Sequence, residues 1–265
     1  MKYGIINWRT VYLIVFMGNL KMRLPCAKPL AFIVTGLTFL LPGLTNIQFD
    51  NMTLVATALV LGSGFNLSRI SRMWLEDKVV STLSYFLSDA KFSVPELQLL
   101  YAKRIQQVYD IQPGYFCIDD TMKHHSKFCK WIHGVFVLFD HALGTNLKAT
   151  CIVFLYYSDG SLIKFPIAFR IFYQQTSKMP WQRGQQRQYK TKYDLATQML
   201  QWALQVGFPK SIVLADSWFC VGPFIKDLKR LGLSYVIEVK SNYTVRVASK
   251  QPKLTPKGRL AKRQY

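Results

Sequence analysis

Two apolar runs in this sequence each end in aspartate: YFCIDDT over residues 115–121 and SIVLADSWF over residues 211–219. Short runs rich in β-branched and aromatic residues are typical of buried strands. An open α/β sheet places its ligands outside the carboxyl ends of its strands. If the two strands are neighbours, Asp120 and Asp216 therefore converge at one edge of one sheet.

These aspartates suit a particular chemistry. Carboxylate oxygens are hard ligands of the kind that Mg²⁺ takes, with water and substrate phosphate completing its shell. Two such ions, about 4 Å apart, activate a nucleophile and stabilise the leaving oxygen of a phosphodiester. The sequence thus predicts a divalent-metal site on Asp120 and Asp216, with Asp119 as a less favoured ligand. The alternative, that these residues only cap strand ends and turns, is disfavoured by their shared context.

The elements around the two runs predict an α/β (α+β) domain on a mixed sheet over residues 111–245. Three antiparallel strands come first, and helices then alternate with strands. The predicted strands are Gly134–Phe139, Ala149–Tyr157, Lys164–Phe172, Ser211–Ala215 and Ser234–Val239, and the predicted helices are Tyr193–Val206 and Val221–Leu231.

Residues 1–110 are predicted to be helical, with helices at Val79–Leu87 and Pro95–Val108. The apolar run at residues 54–61 is followed by a glycine-rich break and then by a segment that Asn66 or Ser68 could cap. Arg69 and Arg72 lie three apart, on one face of that segment. This outline fits a DNA-binding helix-turn-helix and fits an ordinary helical hairpin equally well.

The uncharged stretch Pro29–Phe49 raises the question of a membrane segment. Its strongly apolar part is about 13 residues, short of the roughly 20 that a spanning helix needs. A buried helix is the preferred interpretation, and we expect no stable membrane association.

Charge points to a polyanionic partner. The chain carries 34 Lys and Arg against 14 Asp and Glu, a formal net charge of +20, and nucleic acid is the commonest polyanion. Candidate DNA-contacting residues are Lys123 and Lys127 near the first aspartate and Lys178, Arg183, Arg187, Lys190 and Lys192 in a long polar stretch. A basic tail follows at residues 246–265. Solvated loops, or a merely basic protein, are the alternatives.

The five cysteines are widely spaced, which favours buried thiols in a reducing cytoplasm. A zinc site built from Cys129 and the nearby histidines (His124, His125, His133 and His141) fits no standard ligand spacing and is disfavoured.

Residues 59–246 resemble the transposases of bacterial insertion sequences, which use an Asp-Asp-Glu triad on a ribonuclease-H-like fold. The matching pieces are IDDT at 118–121 with Lys123 and Lys127, VLADSWF at 213–219, and the segments 228–233 and 235–237, with residues 61–72 matching the helical region upstream. In this family the first catalytic Asp directly precedes Thr, which implies Asp120, and the second implies Asp216. Asp119 could substitute in the alignment.

The resemblance implies further expectations. Two Mg²⁺ or Mn²⁺ ions would serve cleavage at the transposon end and transfer of the freed 3′-hydroxyl into target DNA. Double-stranded DNA, as transposon ends and as target, is the implied partner. Such enzymes generally act as dimers, so a homodimer in a bacterial cytoplasm, associated with the nucleoid, is expected.

The third carboxylate departs from the family pattern. In this fold the Glu comes from a helix after the strand predicted at Ser234–Val239, whereas Glu238 lies within that strand and no acid follows it. We expect a catalytic domain incomplete at its carboxyl end, a truncated copy with reduced or no activity, and a third carboxylate other than Glu238. Alternatives are a DNA-binding protein without catalysis, a ribonuclease-H-type nuclease and a basic membrane protein.

Overall fold

The computed structural model describes residues 28–62, 66–74, 80–129, 134–140, 143–174 and 189–240. The chain divides into two compact units, Met1–Asp110 and Ile111–Tyr265. The first is described below as the helical unit and the second as the α/β unit.

The helical unit contains short helices whose starts follow from their capping residues. Thr45 and Gln48 form a reciprocal capping box at one start, and the Asn66 and Ser93 side chains each accept a hydrogen bond from a first-turn N–H at two others. Asn66 rather than Ser68 is therefore the cap. The helices are α1 (Ala31–Leu37), α2 (Asn46–Val60), α3 (Leu67–Ser71), α4 (Val80–Ser88) and α5 (Val94–Val108), with a 3₁₀ segment at Thr38–Gly43.

A small apolar core holds this unit together. It combines one face of α2 with α3 and α4, through Leu54, Val55, Ala58, Ile70, Trp74 and Leu83. Because Ile70 of α3 is fully buried, this five-residue helix is anchored to α2. The Arg72 side chain donates to the Ser68 carbonyl at 3.0 Å. A helix-turn-helix with Arg69 and Arg72 on its DNA-facing side stays a prediction.

The buried helix predicted over Pro29–Phe49 is wrong. The chain leaves the α-helical path after Leu37, and Pro42 and Gly43 end the following 3₁₀ segment. Every residue of α1 is at least partly exposed, with Phe32 at 52%. In the described ranges no helix is long and apolar enough to cross a membrane.

The α/β unit is built on a six-stranded sheet in the order β2-β3-β1-β5-β6, with β4 also paired to β3. Strand β3 is long enough that its first residues pair with β2 and its later residues with β4. The strands are β1 (Tyr115–His124), β2 (Phe136–Asp140), β3 (Thr145–Ser158), β4 (Lys164–Phe172), β5 (Ile212–Ala215) and β6 (Tyr235–Ile237), and the helices are α6 (Lys192–Val206) and α7 (Gly222–Leu231).

The strand directions give the fold class. Strands β1, β3 and β4 pair antiparallel, whereas β1, β5 and β6 pair parallel. Helix α6 precedes β5, and α7 connects β5 to β6. Antiparallel strands continued by parallel βα units make a mixed sheet of the ribonuclease-H-like kind, so the predicted fold class is confirmed.

The sheet packs its inner face against the helices. Phe116 and Ile118 of β1 and Val213 of β5 are buried, and α6 contacts β3, β4 and α7. At 25 cal/mol per Å² of apolar area, each such side chain contributes about 2 kcal/mol of burial free energy. Side chains alternate along a strand, so Asp120 lies on the same face as Phe116 and Ile118.

Several strand boundaries in this unit differ from prediction, and the difference at β1 concerns the site. The first strand was expected to end at Asp120, but β1 continues to His124, paired with β3 throughout. The parallel pairing with β5 does stop, at Ile118 opposite Ala215. The carboxylates thus follow the parallel part of β1 rather than its end.

Candidate active site

The two predicted aspartates lie at one edge of the sheet. Asp216 directly follows Ala215, the last β5 residue paired with β1, and Asp120 lies two residues beyond Ala215's partner Ile118. Strands β1 and β5 are adjacent and parallel, so the backbone alone carries both residues to the same place.

Asp216 directly follows β5 and is the N-cap of a 3₁₀ turn over Ser217–Phe219. Its Oδ1 accepts the Trp218 N–H at 3.1 Å, which fixes one carboxylate oxygen. Burial raises the pKa of Asp216, and the charges of Asp120 and Asp119 raise it further, against the lowering effect of the Trp218 and Phe219 N–H groups. Like charges act on each other here, as expected where carboxylates share a cation.

Asp120 is engaged from two sides. Its Oδ2 accepts from Lys192 Nζ at 2.9 Å and from Cys151 Sγ at 3.2 Å. The side chains of Asp120 and Lys192 are only 16% and 17% exposed. The salt bridge is thus largely removed from solvent, where an ion pair is screened less than on an open surface.

Asp119 has a different orientation. It is exposed, on the opposite face of β1 from Asp120, and its Oδ1 accepts the Asp120 backbone N–H at 2.8 Å. As a metal ligand it is placed less favourably than Asp120.

Lys192 lies among aromatic rings as well as beside Asp120. Its Nζ is 4.9 Å from the centre of the Trp218 ring and 5.8 Å from that of Phe172. Burial would lower the pKa of Lys192, but the hydrogen bond and charge of Asp120, together with Cys151, raise it overall. Lys192 is therefore a cation held in the site.

Cys151 is a donor rather than a soft ligand. Burial raises the pKa of its thiol to about 12, and the neighbouring Asp120 charge adds to the rise. A cysteine has to ionise to bind a metal ion. Because its pKa is raised, this thiol stays protonated and donates a hydrogen bond to the carboxylate.

Glu238 follows the same edge without joining the pair. Strand β6 ends at Ile237, opposite Ala215, and the Glu238 N–H donates to the Ala215 carbonyl at 3.2 Å. The Glu238 residue is exposed. Across the described ranges, no three His, Cys, Asp or Glu side chains are grouped so that they could hold a metal ion.

The donor set suits Mg²⁺ or Mn²⁺. Two carboxylates, one beyond the parallel part of β1 and one directly after β5, supply hard oxygens, and Mg²⁺ in proteins commonly uses one or two carboxylates with water and phosphate. Burial raises the pKa of Asp216, and the negative charges of Asp120 and Asp119 add to that rise, while the Lys192 ammonium pairs with Asp120. Asp120 and Asp216 therefore fit a hard divalent cation.

The disfavoured zinc site receives no support from the histidines that are described. His124 Nε2 lies 2.7 Å from Asp140 Oδ2, and His125 Nε2 lies 3.1 Å from the Thr150 hydroxyl. The other two histidines of that set, His133 and His141, lie outside the described residues.

The candidate DNA-contacting residues lie in different surroundings. Lys123 is exposed on β1, on the face opposite Asp120, and Lys127 is exposed with its Nζ 5.1 Å from the Phe128 ring centre. Lys190 donates to Gln198 at 3.0 Å. Lys178, Arg183 and Arg187 lie outside the described residues, whereas Arg69 and Arg72 belong to the helical unit.

Sequence reasoning placed Lys192 in a DNA-contacting stretch and missed its contact with Asp120, 72 residues away. One local signal was available. Lys192 is the first residue of α6, directly after the Thr191 cap, and a cation there opposes the helix dipole. A lysine at this position predicts a nearby carboxylate that compensates its charge.

Comparisons with known proteins identify the family. The family model described as DDE superfamily endonuclease matches residues 45–265. The "Probable transposase for insertion sequence element IS701" of Microchaete diplosiphon is 26% identical over 177 residues, which are 64% of this chain and 43% of that protein. The chain thus spans less than half the length of this curated relative.

A solved structure, the piggyBac transposase synaptic complex with hairpin DNA, aligns with a TM-score of 0.38 and 13% identity over 74% of this chain and 42% of that one. The family match, by contrast, covers most of the chain and includes both aspartates, and it confirms the resemblance to DDE transposases of insertion sequences. The chain belongs to the DDE superfamily endonucleases.

Proposed function

We propose that this protein cleaves DNA with divalent metal ions at the ends of an insertion sequence and joins the freed end to target DNA. The observation that carries the proposal is the pair Asp120 and Asp216, brought to one edge by adjacent parallel strands and acting on each other electrostatically. Family membership and the similarity to a probable insertion-sequence transposase support it.

Two Mg²⁺ or Mn²⁺ ions bound at Asp120 and Asp216 would supply activation of the attacking oxygen and stabilisation of the leaving oxygen. The protein's own share is positioning. Asp216 is oriented by the Trp218 N–H, and Asp120 sits on β1, whose pairing with β3 and β5 fixes its position. Such pre-set ligand geometry lowers the entropic cost of reaching the transition state.

The partner in this proposal is double-stranded DNA, as transposon end and as target. The net charge of +20 favours binding to phosphates. We also propose action as a homodimer in the bacterial cytoplasm, associated with the nucleoid. In the α/β unit, the exposed Lys123 and Lys127, beyond the carboxylates along the chain, are described candidates for phosphate contact.

A second candidate is DNA binding without cutting. It is favoured by one observation: in the part of the chain that the structure describes, two carboxylates converge with no third metal-binding group beside them. A site of two ligands could bind an ion and DNA yet lack the third carboxylate of the family pattern.

Nicking of supercoiled plasmid separates these candidates. We expect Mg²⁺- or Mn²⁺-dependent nicking by the protein and its loss, to the level of the metal-free reaction, in Asp120→Asn and in Asp216→Asn. Asp159→Asn is the matched control, because Asp159 lies in the turn between β3 and β4, at the opposite end of the strands. DNA binding without metal-dependent nicking would establish the second candidate, and equal nicking by all three variants would refute a role for the pair.

A further inference from the structure

We propose that Lys192 is a tethered counter-cation for Asp120, which leaves the carboxylate when a divalent ion binds, so that this lysine sets the metal affinity of the site. The inference rests on the proposed function, because it requires that Asp120 be a metal ligand. It concerns a residue of this chain whose role follows from where its ammonium group lies.

The position of Lys192 in its helix is unfavourable without a partner. It is the first residue of α6, where the backbone N–H groups make the helix end positive, and a cation at that end is unfavourable. The start of the helix is fixed independently by Thr191 and Asp194, whose side chains and backbone N–H groups bond reciprocally at 2.8 and 3.2 Å. Lys192 thus adds nothing to the capping, and its ammonium is stabilised by Asp120 instead.

The ammonium group occupies a defined place rather than sweeping through solvent. Nζ lies 2.9 Å from Asp120 Oδ2, and the rings of Trp218 and Phe172 lie beside it. Trp218 belongs to the turn that Asp216 caps. The lysine therefore reaches from α6 to the turn of one carboxylate and to the oxygen of the other.

A divalent ion and Lys192 compete for the same oxygen. Oδ2 of Asp120 already accepts from both Lys192 and Cys151. A metal ion bound to Oδ2 would lie about 2.1 Å from it, which brings two cations close together in a partly desolvated place. Like charges at such short range repel strongly where water screens them poorly. Nζ has to move away when the ion arrives.

The sign of a mutational effect separates this role from simple positioning. If Lys192 competes with the ion, its removal exposes more negative charge and metal binding becomes tighter. If Lys192 orients Asp120 for the ion, its removal weakens binding. The two accounts therefore make opposite predictions for the same variant.

The test is calorimetric titration of the metal-free protein with Mn²⁺, without DNA and without turnover. In Lys192→Met an unbranched apolar side chain keeps contact with the two rings but carries no charge. We expect Lys192→Met to bind Mn²⁺ roughly three- to tenfold more tightly than wild type, from the loss of a nearby positive charge. Lys190→Met is the matched control, because Lys190 carries the same charge two residues away but pairs with Gln198; it should stay within about twofold, since solvent screens the longer distance.

Thermal unfolding gives a second readout. Because the salt bridge exists only in the metal-free state, Lys192→Met should lower the melting temperature in EDTA and lose most of that deficit in saturating Mn²⁺. Lys192→Gln, which keeps a hydrogen-bond donor and drops the charge, serves if the methionine variant does not fold, and it too should bind Mn²⁺ more tightly.

Unchanged or weaker Mn²⁺ binding in the folded Lys192 variants, with saturable binding in wild type, overturns the inference and leaves the proposed function standing. Saturable Mn²⁺ binding that Asp120→Asn does not weaken overturns the inference too, because the ion then sits elsewhere. Absence of saturable binding in wild type and in the Lys192 variants alike overturns both.

Discussion

The carboxylates proposed as metal ligands also have an unfavourable effect on the stability of the metal-free fold. Burial raises the pKa of Asp216, and the Asp120 and Asp119 charges raise it further. An acid whose pKa is raised on folding favours the neutral form. Its contribution to stability is present below its ordinary pKa of 3.8 and is lost as pH rises through the higher folded value.

Asp216→Asn removes the unfavourable buried charge and keeps the cap, because an Asn oxygen also accepts the Trp218 N–H. In EDTA we expect the variant and wild type to melt at similar temperatures near pH 4. At pH 7 the variant should melt higher by roughly 1–3 °C, a small shift because Asp216 is partly solvated. Saturating Mn²⁺ should reverse the order, since only wild type then gains a ligand. A difference that is the same at both pH values would contradict the electrostatic account.

The Cys151 thiol makes a second prediction for a single residue. Its pKa of about 12 leaves almost no thiolate at pH 8, and the side chain is fully buried. Alkylation by iodoacetamide in the native protein, followed by peptide mass spectrometry, should label Cys151 roughly a hundredfold more slowly than the partly exposed Cys129. In urea the two should react at similar rates. Fast native labelling of Cys151 would mean that Asp120 has lost this donor.

At the scale of elements, the bounds of strands and helices were predicted well where a local pattern decides them. Strand β4 has the predicted bounds, Lys164–Phe172, and α5 begins one residue before the predicted start at Pro95. Both follow from local signals, namely alternation with β-branched residues and a proline in the first turn.

The extension of β1 could not be predicted in this way. Asp120 and Thr121 are typical of turns, but the pairing with β3 continues from Thr121 opposite Ile152 to His124 opposite Ala149. Strand pairing satisfies the backbone polar groups whatever the side chains are. The same holds for the residues of the site. The two aspartates could be predicted because they follow apolar runs, whereas the hydrogen bonds from Lys192 and Cys151 to Asp120 join residues far apart in the sequence. The end of the helical path before Asn46 does have a local signal, because Pro42 and Gly43 disfavour one continuous helix over residues 29–49.

Helix α6 supports the site through its first turn, which gives a prediction for Thr191. Thr191→Ala removes the oxygen that accepts the Asp194 N–H and should destabilise the α/β unit by about 1 kcal/mol. Urea unfolding followed by circular dichroism would measure the loss. Thr191→Ser keeps the hydroxyl, and because serine caps a helix at least as well as threonine it should leave the stability nearly unchanged. An equal loss in both variants would show that the threonine methyl, rather than the cap, matters.

At the scale of the whole molecule, the charge of +20 has to be separated into a general attraction and a defined DNA-facing surface. Each phosphate contact releases counterions, so the logarithm of the binding constant falls linearly with the logarithm of salt concentration, by about 0.9 per contact. A lysine that contacts phosphate therefore changes the slope, whereas one elsewhere on the surface leaves the slope nearly unchanged.

Lys123 and Lys127 follow the carboxylates along β1 and the loop after it, and Lys164 lies at the opposite end of the sheet, where β4 starts opposite Ser158. We expect the double variant Lys123→Ala, Lys127→Ala to reduce the salt slope of duplex binding by roughly two, as two lost phosphate contacts would. Lys164→Ala, which removes an equally exposed strand lysine, should leave the slope as in wild type. Fluorescence anisotropy with a labelled duplex between 50 and 200 mM salt would measure all three slopes. Over this range a protein that makes many phosphate contacts loses about 10³–10⁵ in affinity. If the double variant retained the full slope, DNA would approach the carboxylates by another route, and Lys123 and Lys127 would be solvated residues without a partner in the complex.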